Sequence, residues 1–344
     1  MKIVIFGAGG FIGGWLCEEL VGHKDIEIVP CVRHWSSAVR LARRGLDIVQ
    51  IDLEKITRDL KLISDADVVV NVSMPPPGRE PEIAARLYSA CVDAGVRKFI
   101  QFSSTAVYGN MTGYLNEDSS PSPSNEYGRG KTAMEERLLK ESTRSGPQLF
   151  ILRPSIVYGP FSEVWTVHFA RRIADGRWRS VGWAGSGTCN LVYCQDVAQS
   201  VIAAAVSQTE TRLNVLNING PEVITWDEYI ERFGDALGIV GRQRVNPLRF
   251  SLTSTAVDGL RKTGSWVKRK GLNRPLQERA PAVFQSAKSA VGLYPTLGEL
   301  HLWRQKVRYS WERAASVIGF SPSMTLDEGL RRSAEWCRTH GVIY

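Results

Sequence analysis

Tyr127 and Lys131 stand four residues apart in Tyr127-Gly128-Arg129-Gly130-Lys131, a spacing that puts a phenol and an ammonium on one helix face, one turn removed. A free phenol titrates near about 10 and is a poor base at neutral pH, but an adjacent cation favours its phenolate. Such a pair can exchange a proton with an alcohol or ketone oxygen. A second set of groups suited to the same oxygen lies upstream, in Phe102-Ser103-Ser104-Thr105-Ala106-Val107-Tyr108-Gly109. Its three hydroxyls start at the carboxyl end of an expected strand, where ligands collect in open α/β sheets.

The elements that must position these groups begin at the first residues. An apolar strand, Lys2 to Phe6, runs into Gly7-Ala8-Gly9-Gly10-Phe11-Ile12-Gly13 and then into a helical pattern over Gly14 to Leu20. Gly7 suits a tight turn, Gly10 lets backbone N–H groups approach a pyrophosphate, and Gly13 lets the helix pack close to the strand. The phosphates would sit at the positive end of that helix. Glycines at 7, 10 and 13 depart from the common G-x-G-x-x-G spacing, which would need glycine at Ile12.

Further apolar runs at Ile26 to Val32, Asp67 to Val72, Lys98 to Phe102 and Leu149 to Leu152 read as buried parallel strands separated by helices or turns. The clearest helices cover Glu80 to Ala94 and Tyr127 to Ser142. This alternation predicts an α/β fold: a Rossmann-type, doubly wound parallel sheet with a smaller, mixed C-terminal substrate domain. The nucleotide-binding domain is expected over 1–160, with segments near 188–220 returning to it, and a mainly substrate-binding domain over 161–344. That second part is richer in Trp and Arg, with helices at Trp226 to Leu237 and Leu326 to Thr339.

The 344-residue chain is 43% hydrophobic and carries a formal net charge of +8. No apolar run approaches the ~20 residues that cross a bilayer, and a strand followed by glycines is unlike a secretion signal, so the expected compartment is the cytoplasm. Six scattered cysteines without C-x-x-C spacing predict neither disulfides nor a metal. The charge is concentrated: nine basic residues between Arg242 and Pro275, against the single acid Asp258, account for all of it. That segment reads either as a solvated or lid face over an anionic substrate or as an amphipathic surface for membranes, the former being favoured. No nucleic-acid partner is expected. Trp165, Trp178 and Trp183 could stack on a sugar or base, or could pack between domains.

Taken together, these segments resemble the extended short-chain dehydrogenase/reductase superfamily, the group of NAD-dependent epimerases and dehydratases. The likeness runs on through Leu152-Arg153-Pro154-Ser155-Ile156-Val157-Tyr158-Gly159-Pro160, Gln195-Asp196-Val197-Ala198, Leu216-Asn217-Ile218-Asn219-Gly220 and Ile318-Gly319-Phe320-Ser321-Pro322. The resemblance implies Tyr127 as proton-transferring acid/base, Lys131 as the cation that assists it and binds the nicotinamide ribose, and Ser104 as the hydroxyl that polarises the substrate oxygen. It further implies that Gly7, Gly10, Phe11, Ile12 and Gly13 hold the cofactor, that Asp52 and Leu53 meet its adenine, and that the protein is a homodimer. The reaction implied is hydride transfer to or from a carbinol or carbonyl carbon of a sugar, often nucleotide-linked, either as epimerisation or as net reduction.

Departures from the family pattern refine these expectations. Where an NAD enzyme usually offers Asp or Glu at the end of the second strand, this chain has Arg33, whose guanidinium suits a 2′-phosphate; NADP is therefore preferred over NAD. Thr105-Ala106 replaces the Asp-Glu of dehydratases, which disfavours water elimination. Ile156 and Cys189 stand where many members place an Asn and an Arg against a sugar-nucleotide diphosphate, which keeps a ketone or hydroxysteroid-type reductase as the alternative. A non-catalytic NADP sensor or scaffold is the alternative of another class, and it would not need Ser104, Tyr127 and Lys131.

Overall fold

A computed structural model describes residues 1–56, 60–142, 146–176, 180–239 and 295–343. Trp178 and the basic stretch from Arg242 to Arg274 lie outside the described residues. In chain order the elements begin β1 (Lys2–Phe6), α1 (Phe11–Leu20), β2 (Glu27–Val32), α2 (Val39–Ala42), β3 (Val49–Gln50), β4 (Val68–Asn71), α3 (Glu80–Asp93) and β5 (Lys98–Phe102). They continue through β6 (Gly113–Leu115), α4 (Glu126–Glu141), β7 (Gln148–Pro154), β8 (Ile156–Tyr158), α5 (His168–Ala174), β9 (Thr188–Cys189), β10 (Leu191–Tyr193), α6 (Cys194–Val206) and β11 (Leu213–Ile218). The rest are β12 (Ile224–Thr225), α7 (Trp226–Ala236), α8 (Leu297–Leu302), β13 (Val307–Tyr309), α9 (Glu312–Ile318) and α10 (Leu326–Thr339).

The chain divides into two compact units. The first comprises Met1–Tyr158, Asn190–Glu222 and Arg308–Thr325. Its centre is a seven-stranded sheet in the order β11-β7-β5-β4-β1-β2-β3, parallel throughout. This is the doubly wound Rossmann-type sheet expected from the alternating pattern. Strands buried on both faces need apolar side chains on both, which is why β4 reads Val-Val-Val and why Ile5, Val69, Ile100 and Ile151 are fully buried. Strand order reverses between β1 and β4, so the crevice at their carboxyl ends is the topological switch point.

The second unit comprises the described parts of Gly159–Cys189, Val223–Val307 and Leu326–Tyr344. Its core is aromatic: Phe169 lies 5.3–6.1 Å from Trp226, Tyr229 and Trp303, and Trp165 packs 5.8 Å from Trp226. Trp165 is thus part of this unit's own packing, whereas Trp183 is 48% exposed with the Arg304 guanidinium 4.6 Å over its ring. Helix α7 starts at a capping box in which the Thr225 hydroxyl accepts from the Glu228 N–H and the Glu228 carboxylate accepts from the Thr225 N–H.

All six cysteines are buried and unpaired. Burial pushes the Cys17 and Cys31 thiols up to about 12 and that of Cys337 up to about 11. Thiolate is the reactive form, so Ellman's reagent at pH 8 should find essentially no fast-reacting thiol in the native protein and six after guanidinium unfolding. A stoichiometric fast phase in the native state would contradict this burial. Among the described residues no helix is long and apolar enough to cross a membrane, and no three His, Cys, Asp or Glu side chains cluster as a metal site.

Candidate active site

The glycine turn follows β1 directly. Gly7 adopts φ +86°, and its N–H and that of Ala8 both donate to the Cys31 carbonyl of β2, at 3.2 and 3.1 Å. A Cβ on Gly7 would stand 2.6 Å from the Ser73 backbone after β4, so the turn sits at the switch point with no room for a side chain. Gly13 supplies the packing predicted for it, since a Cβ there would be 2.3 Å from the Gly7 carbonyl oxygen. Helix α1 is capped by Gly10 without any side-chain hydrogen bond. Its first N–H groups are therefore available to an anion.

A groove of about 390 Å³ opens from this turn. Gly7, Gly10, Phe11, Ile12, Arg33, Asp52 and Leu53 all line it; Gly13 does not, because it is spent on packing α1 against β1. Arg33 is exposed just after β2, and among the described residues its guanidinium has no carboxylate partner. His34 and Ser37 line the groove beside it. The Asp52 carboxylate accepts from the Glu54 N–H at 3.1 Å, so it caps its own turn while it faces the groove. The tight glycine turn, the uncapped helix start and the groove along β1, β2 and β4 fit a dinucleotide.

The proton-handling residues come from β5, the turn after it and α4. Residues 105–108 form a 3₁₀ turn capped by Ser104, whose Oγ accepts from the Ala106 N–H at 3.2 Å. Asn125 caps α4 by accepting from the Gly128 N–H at 2.8 Å. A Cβ on Gly128 would lie 2.5 Å from the Ala106 carbonyl oxygen, so this glycine lets α4 dock on the Ser104 turn. Tyr127, its neighbour, is 44% exposed, and its ring lies 5.6 Å beneath the Lys131 ammonium. Lys131 is buried; its Nζ is 3.2 Å from Glu80 Oε1 and 3.5 Å from the Phe102 carbonyl oxygen.

The three adjacent hydroxyls are not equivalent. Ser103 is buried and donates to Glu135, and Thr105 is buried with its hydroxyl 3.5 Å from the Pro154 carbonyl. Ser104 is half-buried and only accepts, so among the described residues its proton is uncommitted.

Beneath them lies a buried ion pair. Arg153 Nε donates to Glu135 Oε1 at 3.0 Å and its Nη2 to Oε2 at 2.5 Å, with the two residues 5% and 3% exposed. Arg153 also donates to the Tyr108 hydroxyl at 2.8 Å, which in turn donates to Asn217 Oδ1 at 2.9 Å. Burial opposes charge on Arg153, yet the Glu135 carboxylate more than offsets it and holds the guanidinium charged; burial pushes the Tyr108 phenol up.

A family profile described as the NAD dependent epimerase/dehydratase family matches residues 3–218. The chain belongs to that family. It is an enzyme of the extended short-chain dehydrogenase/reductase type, as the motifs implied. Across almost its whole length it is similar to Escherichia coli YbjS, at 24% identity over 100% of this chain and 99% of that protein. It is similar to the Arabidopsis thaliana 3beta-hydroxysteroid-dehydrogenase/decarboxylase isoform 1, at 23% identity over 96% of this chain and 78% of the other. In fold it is similar to the UDP-glucuronic acid 4-epimerase of Bacillus cereus in complex with NAD, with a TM-score of 0.73 at 19% identity over 99% of each chain.

Within this epimerase/dehydratase family member, the motif reading missed Glu80 and Glu135, the carboxylates that partner Lys131 and Arg153. Signals for both were present. Glu135 lies four residues beyond Lys131 on the same face of α4, and a mid-helix glycine such as Gly130 destabilises a helix by about 1 kcal/mol relative to alanine unless something must approach it. What approaches Gly130 is Glu80: a Cβ there would be 2.7 Å from Glu80 Oε2.

Proposed function

We propose that this protein transfers hydride between a nicotinamide cofactor and a carbinol or carbonyl carbon of a nucleotide-linked sugar, with Tyr127 as acid/base. The observation that carries the reading is the uncommitted Ser104 proton on the turn against which Gly128 docks the helix bearing Tyr127 and Lys131. When bound, the nicotinamide supplies hydride-transfer chemistry. The Ser104 hydroxyl donates a hydrogen bond to the substrate oxygen, and Tyr127 Oη gives that oxygen a proton during reduction or takes it during oxidation. Lys131 places a positive charge beside the phenol, which favours its ionised form, and retains one proton for the cofactor ribose beyond those facing Glu80 and Phe102.

Gly7, Gly10, Phe11 and Ile12 would hold the pyrophosphate, with Gly13 keeping α1 close, while Asp52 and Leu53 flank the adenine. Arg33, exposed at the groove without a carboxylate partner among the described residues, supports NADP over NAD. Arg33→Asp should raise the NADPH dissociation constant selectively, by on the order of tenfold for one lost charge-assisted contact. Fluorescence titration with NADPH and NADH measures this, and an unchanged NADPH/NADH affinity ratio would remove Arg33 from the 2′-phosphate.

Several structural neighbours are solved with UDP-sugars or NAD, including the Bacillus cereus enzyme in complex with both, which supports a nucleotide-linked sugar substrate. A second reading, a ketone or hydroxysteroid-type reductase, is favoured by Cys189, which is wholly buried in β9, by Ile156 at the start of β8, and by the similarity of 96% of this chain to the Arabidopsis enzyme. The test is incubation with UDP-glucose or UDP-glucuronic acid and, separately, with a 3-keto steroid plus NADPH. Conversion of the sugar to its 4-epimer without net change in cofactor absorbance supports the epimerase; loss of NADPH absorbance with the steroid alone supports the reductase.

A further inference from the structure

Lys131 is not a free cation. Its ammonium lies 3.2 Å from Glu80 Oε1, with the two side chains only 5% and 11% exposed. Glu80 is the first residue of α3, where the positive end of a 14-residue helix favours a carboxylate. Its other oxygen lies against Gly130, at the one place on α4 where a Cβ, 2.7 Å away, would displace it. Two independent features, a helix N-terminus and a side-chain-free helix position, thus hold one carboxylate against the lysine of the Tyr127 pair.

We propose that Glu80 is a positioning residue that fixes the Lys131 ammonium and limits how strongly Lys131 favours the ionised form of Tyr127. The proposal rests on the reading of Tyr127 and Lys131 given above. The physical reason is charge compensation: an ammonium paired with a carboxylate in a shielded site presents Tyr127 with a weaker net field than a bare ammonium does. The pair also anchors a flexible side chain that must keep one proton directed to a ligand. The other charged groups around it leave Glu80 as the decisive acid. On α4, Glu135 is tied to Arg153 of β7, and Glu126 and Arg129 are exposed; at the start of α3, Arg79, the residue just before the helix, pairs with Glu82 at 3.2 Å. The 105–108 turn adds only Tyr108, which is held by Arg153.

The experiment is a pH titration of ultraviolet phenolate absorbance, with the Tyr127 signal isolated by subtracting the matching Tyr127→Phe protein. Glu80→Gln keeps the shape and removes the charge, so the Tyr127 transition should move to lower pH by roughly half to one unit, the size expected for losing one nearby charge. A purely structural role for Glu80 would leave that midpoint in place, and an unmoved or upward midpoint overturns the proposal. Should Glu80→Gln fail to fold, Gly130→Ala takes its place, displacing the carboxylate without removing it; the same downward movement is expected, and its absence counts equally against the proposal. Turnover of Tyr127→Phe separates the two levels. If that variant is inactive and the midpoint does not move, only the Glu80 proposal fails; if that variant is fully active, the acid/base reading fails, whatever the titration shows.

Discussion

Tyr127→Phe should lower turnover by about 10²–10⁴-fold, the usual contribution of a positioned general acid/base, while NADPH binding and folding stability stay close to those of the parent protein. The structure gives the reason for this split. The Tyr127 ring is 44% exposed, and among the described residues its hydroxyl makes no hydrogen bond, so removing that oxygen strands no buried partner. Surface changes of this kind usually alter stability by no more than about 0.5 kcal/mol. The ring itself remains beneath the Lys131 ammonium, which keeps its contacts to Glu80 and Phe102. Turnover, cofactor fluorescence titration and thermal melting are the three measurements. Wild-type turnover in a folded, cofactor-binding variant would remove Tyr127 as the acid/base.

The largest expected effect on stability lies below that site. Arg153→Leu should destabilise the protein by about 3–5 kcal/mol, because it leaves the Glu135 carboxylate buried without its counter-charge. Glu135 is 3% exposed and receives both the Nε and Nη2 donors of Arg153, so water cannot replace them. The Tyr108 hydroxyl loses its charged donor in the same step. Glu135→Leu with Arg153→Leu should recover much of the loss, since replacing a buried pair by apolar groups is often neutral or stabilising. Urea-denaturation midpoints of the two singles and the double give the coupling. A single variant within 1 kcal/mol of the parent would show that the pair is solvated in solution. Recovery of stability without recovery of turnover in the double variant would separate folding from the placement of α4.

The sheet was legible because both faces of each strand are covered. Continuous apolar runs therefore mark β1, β2, β4, β5 and β7 to within a residue or two of their ends, and helical periodicity marks α3, α4, α7 and α10 similarly well. The glycine turn was legible for a different reason: a positive φ at Gly7 and a 2.3 Å approach at Gly13 are backbone requirements that a single residue type satisfies. Asp52, which the resemblance places at the adenine, lines the groove while its carboxylate accepts from the Glu54 N–H of its own turn. Trp165 was readable as stacking on a sugar or base or as packing between domains, and it packs instead with Trp226 and Phe169 inside the second unit.

The sequence by itself determined the Rossmann-type sheet and the place of the glycine turn, because each depends on local periodicity or on short spacing, whereas the roles of the phenol, ammonium and hydroxyl rest on the family resemblance. Only the tertiary structure decided which of three neighbouring hydroxyls keeps its proton, and it did so by giving Ser103 to Glu135 and burying Thr105 beside Pro154. It also decided that Lys131 meets Glu80, fifty-one residues earlier, and that Arg153 meets Glu135. Those pairings depend on how α3, α4 and β7 stack across the sheet, and a charge carries no mark in sequence of the opposite charge that packing will bring to it.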